Sequence, residues 1–99
     1  MAWFVYVIEC RDGSLYTGIA IDVGKRYDLH VAGKGARYTR SHPPARVLAQ
    51  FDYPDRSSAS KAEYAIKRLA PDDKRALCAG TLGIESIDAA IAANERTPD

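Results

Sequence analysis

Two strand-like runs joined by a tight turn at the N-terminus constrain this chain more than any other feature. Trp3-Phe4-Val5-Tyr6-Val7-Ile8 is aromatic or β-branched throughout, which is strand composition. Its apolar residues do not alternate, so a strand from Trp3 to Cys10 is expected to be covered on both faces. Arg11-Asp12-Gly13-Ser14 is turn chemistry, and Leu15 to Ala20 reads as the second strand. Loop length decides what this hairpin presents. A two-residue Asp12-Gly13 loop pairs Tyr6 with Ile19 and sets Tyr6 and Tyr16 on opposite faces. A three-residue loop, with Gly13 in the left-handed region, pairs Cys10 with Ser14. Tyr6 then faces Gly18, Ile8 faces Tyr16, and both phenols share one face. The three-residue loop is the expected one.

Downstream, Asp22 is placed to cap a helix that runs to about Ala32 and stops at Gly33. Residues 33–45 read as a basic loop stiffened by Pro43-Pro44. Arg46 to Tyr53 reads as a third strand. Ser57 or Ser58 then caps a helix to about Leu69, with Ala59, Ala62, Ala65, Ile66, Leu69 and Ala70 on its apolar arc. Pro71 breaks that helix and starts another, Asp72 to Cys78. Ile84, Ile87 and Ile91 suit a short last helix followed by a frayed tail.

The chain has 99 residues, one domain's worth, and a net charge of +1. That balance argues against coating nucleic acid or an anionic membrane by bulk charge. The charge is uneven, however: between residues 24 and 46, Lys25, Arg26, Lys34, Arg37, Arg40 and Arg46 face only Asp28. Cys10 and Cys78 show no ligand-like spacing and read as two thiols in a reducing compartment. No run approaches the ~18 apolar residues of a membrane span, and the first residues lack the pattern of a secretory leader. A soluble cytoplasmic protein without membrane association is expected.

Four groups of residues could carry chemistry. A phenol such as Tyr6, with Tyr16-Thr17-Gly18 across the hairpin, can position a water or pass a proton. Arg26 and His30 are four apart and share a helix face. They offer a bidentate phosphate ligand and a group that titrates near neutrality. Glu63 sits at the edge of an apolar helical arc, and one carboxylate with water and phosphate oxygens suits Mg²⁺. Lys34, Arg37, Tyr38, Arg40 and His42 mix cations with an aromatic, as phosphate-backbone contacts do. Singly, each has an ordinary explanation: good strand residues, a solvated helix face, a Glu63–Lys67 surface pair, a solvated loop.

Taken in order, these groups resemble the GIY-YIG nuclease domain, in its small stand-alone bacterial form. Phe4-Val5-Tyr6 occupies the first motif and Tyr16-Thr17-Gly18 the second, with Gly18 its structural glycine. Arg26 and His30 follow on the next helix. Gly33-Lys34-Gly35-Ala36-Arg37-Tyr38-Thr39 is similar to the subfamily's loop, and Ala62-Glu63-Tyr64 to its metal-binding segment. The resemblance covers about residues 3–78. It implies an α+β fold, with a three-stranded mixed central sheet flanked by helices in the order β-β-α-β-α-α. Residues 1–80 would form the nuclease-like domain and 81–99 a C-terminal extension.

The resemblance also implies hydrolysis of DNA phosphodiesters in repair or processing, with Mg²⁺ or Mn²⁺ held by Glu63. Catalytic roles would fall on Tyr6, Tyr16, Arg26, His30 and Glu63, with either Tyr6 or His30 taking a proton from water. Lys34, Arg37, Tyr38 and Arg40 would bind nucleic acid. The chain departs from the family pattern in lacking the first motif's glycine and in having Thr17 at the centre of the second. Many active members carry an asparagine soon after the metal glutamate, whereas here the sole asparagine is Asn94. That absence supports a second reading, a nucleic-acid-binding module on the same fold. No separate recognition domain fits in this length, so specific cleavage would call on a recognition partner or self-association.

Overall fold

Four consecutive residues of the first strand, Val5 to Ile8, are fully buried, so this strand has a packed layer on each side. The structure, a computed structural model, describes residues 2–95. Strands β1 (Trp3–Cys10) and β2 (Leu15–Ala20) form the hairpin, followed by helices α1 (Val23–Val31) and α2 (Arg37–Ser41). Strand β3 (Pro44–Tyr53) then leads to α3 (Arg56–Lys67), α4 (Pro71–Ala79) and α5 (Ile84–Glu95). The sheet order is β2-β1-β3, which puts β1 at its centre.

The hairpin has the expected register. Tyr6 pairs with Gly18 and Ile8 with Tyr16. The Cys10 N–H donates to the Ser14 carbonyl at 2.8 Å, and Gly13 closes the loop at φ 86°. A β-carbon is disfavoured at that φ, so glycine is needed there. Asp22 caps α1 as expected, its carboxylate accepting from the Lys25 N–H at 3.1 Å, and Gly33 follows the helix at φ 76°. Asp55, rather than a serine, caps α3: its carboxylate accepts from the Ser58 N–H at 2.8 Å.

Two expectations need correction. The sheet is antiparallel throughout, not mixed: β3 runs antiparallel to β1. The cause lies where the chain re-enters the sheet. The Arg11 N–H donates to the Pro43 carbonyl at 2.9 Å, and His42 Nδ1 lies 2.6 Å from an Asp12 carboxylate oxygen. Both contacts pin the start of β3 beside the hairpin loop, where β1 ends, so β3 can only run back along β1. The basic loop is also shorter than expected. Residues 37–41 wind into α2, and β3 starts at Pro44, which a strand tolerates in its first position.

The two sheet faces pack differently. Val5 and Val7 face α3, α4 and α5, where Ala59, Ala62, Ile66, Leu77 and Ile87 complete an apolar core. Tyr6, Ile8 and Cys10 point the other way, among Ala20, Val23, Phe4, Tyr16, Tyr27 and Val47. The last helix thus joins the main core through Ile87, with Ile84 and Ile91 packed against it. The expected frayed tail, residues 96–99, lies outside the described residues.

Candidate active site

Tyr6, Tyr16, Gly18 and His30 meet on the Tyr6 face of the sheet. The three-residue loop brings Tyr16 beside Tyr6, with ring centroids 6.3 Å apart. Gly18 lies directly across from Tyr6, and a β-carbon added there would stand 2.5 Å from the phenol oxygen. Glycine at this position lets the phenol lie flat across β2. Helix α1 supplies His30 from its last turn, and Tyr6 Oη and His30 Nε2 are 2.8 Å apart, both buried. His30 also packs its ring 5.1 Å from that of Tyr16.

Burial tunes both groups. Loss of solvent, reinforced by the Tyr16 phenol, pushes Tyr6 up to about 12, against partial relief from the Arg26 guanidinium. Burial, then the Arg26 charge, hold His30 below its ordinary value. At neutral pH the pair is therefore a phenol and a neutral imidazole. Arg26 itself is exposed on α1, one turn before His30, and its charge is felt at the phenol.

Glu63 approaches from α3. It is half-buried, its charge is felt at Tyr6, and its Oε2 lies 3.4 Å from Lys67 Nζ. The Lys67 ammonium stands 5.8 Å from the Tyr16 ring centroid. Among the described residues no three His, Cys, Asp or Glu converge as a metal cage. Mg²⁺ needs no such cage, because it keeps waters and commonly takes one or two carboxylates plus substrate phosphates. Glu63 fits an ion of that kind, Mg²⁺ or Mn²⁺, completed by water and phosphate.

Lys34, Arg37, Tyr38 and Arg40 stay at the surface, the last three on α2. Tyr38 stacks between Tyr16, 6.0 Å away, and His42, 4.2 Å away. An aromatic path thus runs from the Tyr6–His30 pair out to the cations of α2. Two neighbours went unsingled in the sequence. Thr39 is buried with its Oγ1 2.6 Å from His30 Nδ1. Gly35 lies so close to the His30 ring that a β-carbon there would collide with it. A hydroxyl three residues after a small residue was the only local signal for Thr39, and its partner is nine positions away.

The family model for the GIY-YIG catalytic domain matches residues 2–75. The chain belongs to the GIY-YIG family. A UPF0213 protein of Cupriavidus pinatubonensis is 53% identical over 77 residues, covering 78% of this chain and 86% of the relative. The solution structure of the UPF0213 protein of Bacillus halodurans is 42% identical with a TM-score of 0.51, covering 80% and 84% of the two chains. A solution structure of an E. faecalis protein gives 34% identity and a TM-score of 0.53, covering 75% and 79%. The GIY-YIG match takes in both tyrosine motifs, α1, α2 and Glu63, and it points to a nuclease. Among the described residues no helix is long and apolar enough to cross a membrane.

Proposed function

We propose that this GIY-YIG protein is a metal-dependent endonuclease that hydrolyses DNA phosphodiesters in repair or processing. The observation that carries this reading is the buried 2.8 Å contact between Tyr6 and His30, with the Arg26 charge felt at the same phenol. The phenol orients the attacking water. As Tyr6 Oη takes a proton from that water, its own proton passes to His30 Nε2. The hydroxide forms a bond to phosphorus, the P–O bond to the leaving oxygen breaks, and solvent protonates that oxygen. Arg26 stabilises the charge that gathers on the phosphoryl oxygens. Tyr16 packs beside both rings and holds their orientation. Glu63 would hold a divalent cation, which would polarise the phosphate as a Lewis acid.

Lys34, Arg37, Tyr38 and Arg40 hold the flanking backbone, and so few cations imply a shallow salt dependence. Residues 1–80 are the nuclease unit and 81–99 its extension. Cleavage at defined sites calls on a recognition partner or self-association.

The test is a cleavage time course on labelled duplex, single-stranded, flap and four-way-junction DNA. It runs with Mg²⁺ or Mn²⁺, with a chelator, and beside Glu63→Ala. Product from wild type alone, and only with metal, is expected. Equal product from both proteins overturns the assignment of Glu63. Binding without product, unaffected by chelator, favours the second reading, a nucleic-acid-binding module, to which the absence of an asparagine near Glu63 points.

A further inference from the structure

The proton path just described runs one way only if His30 presents a lone pair, not an N–H, to Tyr6. A neutral imidazole has one of each, and the partner of its second nitrogen decides which is which. Here that partner is the Thr39 hydroxyl, 2.6 Å from Nδ1. A hydroxyl has a single proton, and Thr39 donates its own to the Ala36 carbonyl at 3.0 Å. Toward His30 it can therefore only accept. Nδ1 carries the hydrogen, and Nε2 is left bare at 2.8 Å from the Tyr6 hydroxyl.

The phenol agrees, since among the described residues His30 Nε2 is the one hydrogen-bond partner of the buried Tyr6 hydroxyl, and so the one acceptor for its proton. Burial locks the arrangement, because Tyr6, His30 and Thr39 are 1%, 1% and 2% exposed. In the opposite tautomer Thr39 would turn its proton from the Ala36 carbonyl to Nδ1, and Tyr6 would accept from Nε2–H with its own proton left unpaired. Gly35 completes the clamp, since the loop before α2 closes on the imidazole only where no β-carbon intervenes.

We infer that Thr39 is a positioning residue that fixes His30 as the Nδ1–H tautomer, so that Nε2 receives the proton of Tyr6. Helix α2 is thereby more than a perch for cations. Its first turn carries the hydroxyl that orients the base of the reaction. The inference rests on the proposed hydrolysis for its purpose, but its test does not need turnover.

The test reads the ¹⁵N shifts of His30 by NMR in wild type, Thr39→Val and Thr39→Ser at a pH where the ring is neutral. Wild type is expected to show a protonated Nδ1 and an unprotonated Nε2. The serine variant should keep that pattern. The valine variant, nearly isosteric but without the hydroxyl, should lose it and populate the Nε2–H form. A wild-type ring protonated at Nε2 overturns the inference, as does a valine variant that keeps the wild-type tautomer. Should Thr39→Val fail to fold, the wild-type spectrum alone decides. Where wild type cleaves DNA, Thr39→Val should lose rate within the ~10²–10⁴-fold worth of a positioned base, and Thr39→Ser should restore most of it. Inactive wild type with the expected tautomer sinks the hydrolysis and leaves the Thr39 assignment standing.

Discussion

β1 has two buried faces that obey different rules. On one, Val5 and Val7 meet Ala59, Ala62, Ile66, Leu77 and Ile87 through apolar contact, with one hydrogen bond beside them, from the Tyr53 hydroxyl to Asp88 at 3.0 Å. On the other, one residue along, Tyr6 meets His30, and His30 meets Thr39. The first face is specified by volume and accepts hydrophobic groups of similar size. The second is specified by donors and acceptors, each of which must find its partner once water is gone. Among the described residues no buried side-chain nitrogen or oxygen lacks one. One strand thus divides a face packed almost wholly by apolar groups from one that also seats the candidate site, with its alternation as the divider.

The sharpest way to break this comparison is to remove a group that serves only chemistry. Arg26→Ala should cut the cleavage rate about 10³–10⁵-fold, or roughly 4–7 kcal/mol of barrier. Its melting temperature should barely move, because the side chain is exposed on α1. Steady-state cleavage and a thermal melt on one preparation check both halves.

The mirror experiment is on the apolar face. Ile66→Ala should cost about 2–5 kcal/mol in urea unfolding, since Ile66 is fully buried. The fraction that remains folded should cleave at close to the wild-type rate. A large rate loss there would mean the faces are not separable.

Tyr6→Phe tests the boundary, because it should cost on both sides. It leaves the buried His30 Nε2 without its partner, worth about 1–3 kcal/mol of stability, and it removes the proton path. Unchanged stability with lost cleavage would confine Tyr6 to chemistry.

Titration gives the smallest effect. His30 is held below its ordinary 6.5 by burial and by Arg26, so its contribution to stability is full above that pH. It is lost as acid protonates the unfolded chain first and the buried ring last. Tyr6, raised from 10.0 to about 12, acts at the other end: its contribution is full below 10 and lost as pH climbs toward 12. Each limb should fall by at most about 1.4 kcal/mol per pH unit. In His30→Gln the acid limb should flatten, read by urea unfolding between pH 5 and 7.5.

Local chemistry made much of this legible. The loop of Arg11, Asp12 and Gly13 set the hairpin register, and with it the shared face of Tyr6 and Tyr16. Asp22 and Gly33 marked the ends of α1. The direction of β3 was not legible, because contacts between Asp12 and His42 and between Arg11 and Pro43 decide it. α2 was hidden because five residues make too little periodicity to see. Thr39 was hidden for a related reason: a threonine in a basic segment looks solvated until α2 folds its hydroxyl under His30. The cationic and aromatic side chains of the site could be picked out one at a time, but their hydrogen-bond directions could not.

The order of the chain has a consequence for its synthesis. The three strands are complete at Tyr53, and by then Tyr6, Tyr16, Arg26 and His30 have all been made. Glu63 comes ten residues later, on the helix that covers Val5 and Val7. A nascent chain on the ribosome can therefore pair its strands and seat its phenols while one sheet face is still bare and the Glu63 carboxylate does not yet exist. Domains tend to fold as units as they emerge. In this one the segment that first covers the Val5–Val7 face also brings Glu63, so the covering of the core and the arrival of the last candidate site residue begin together.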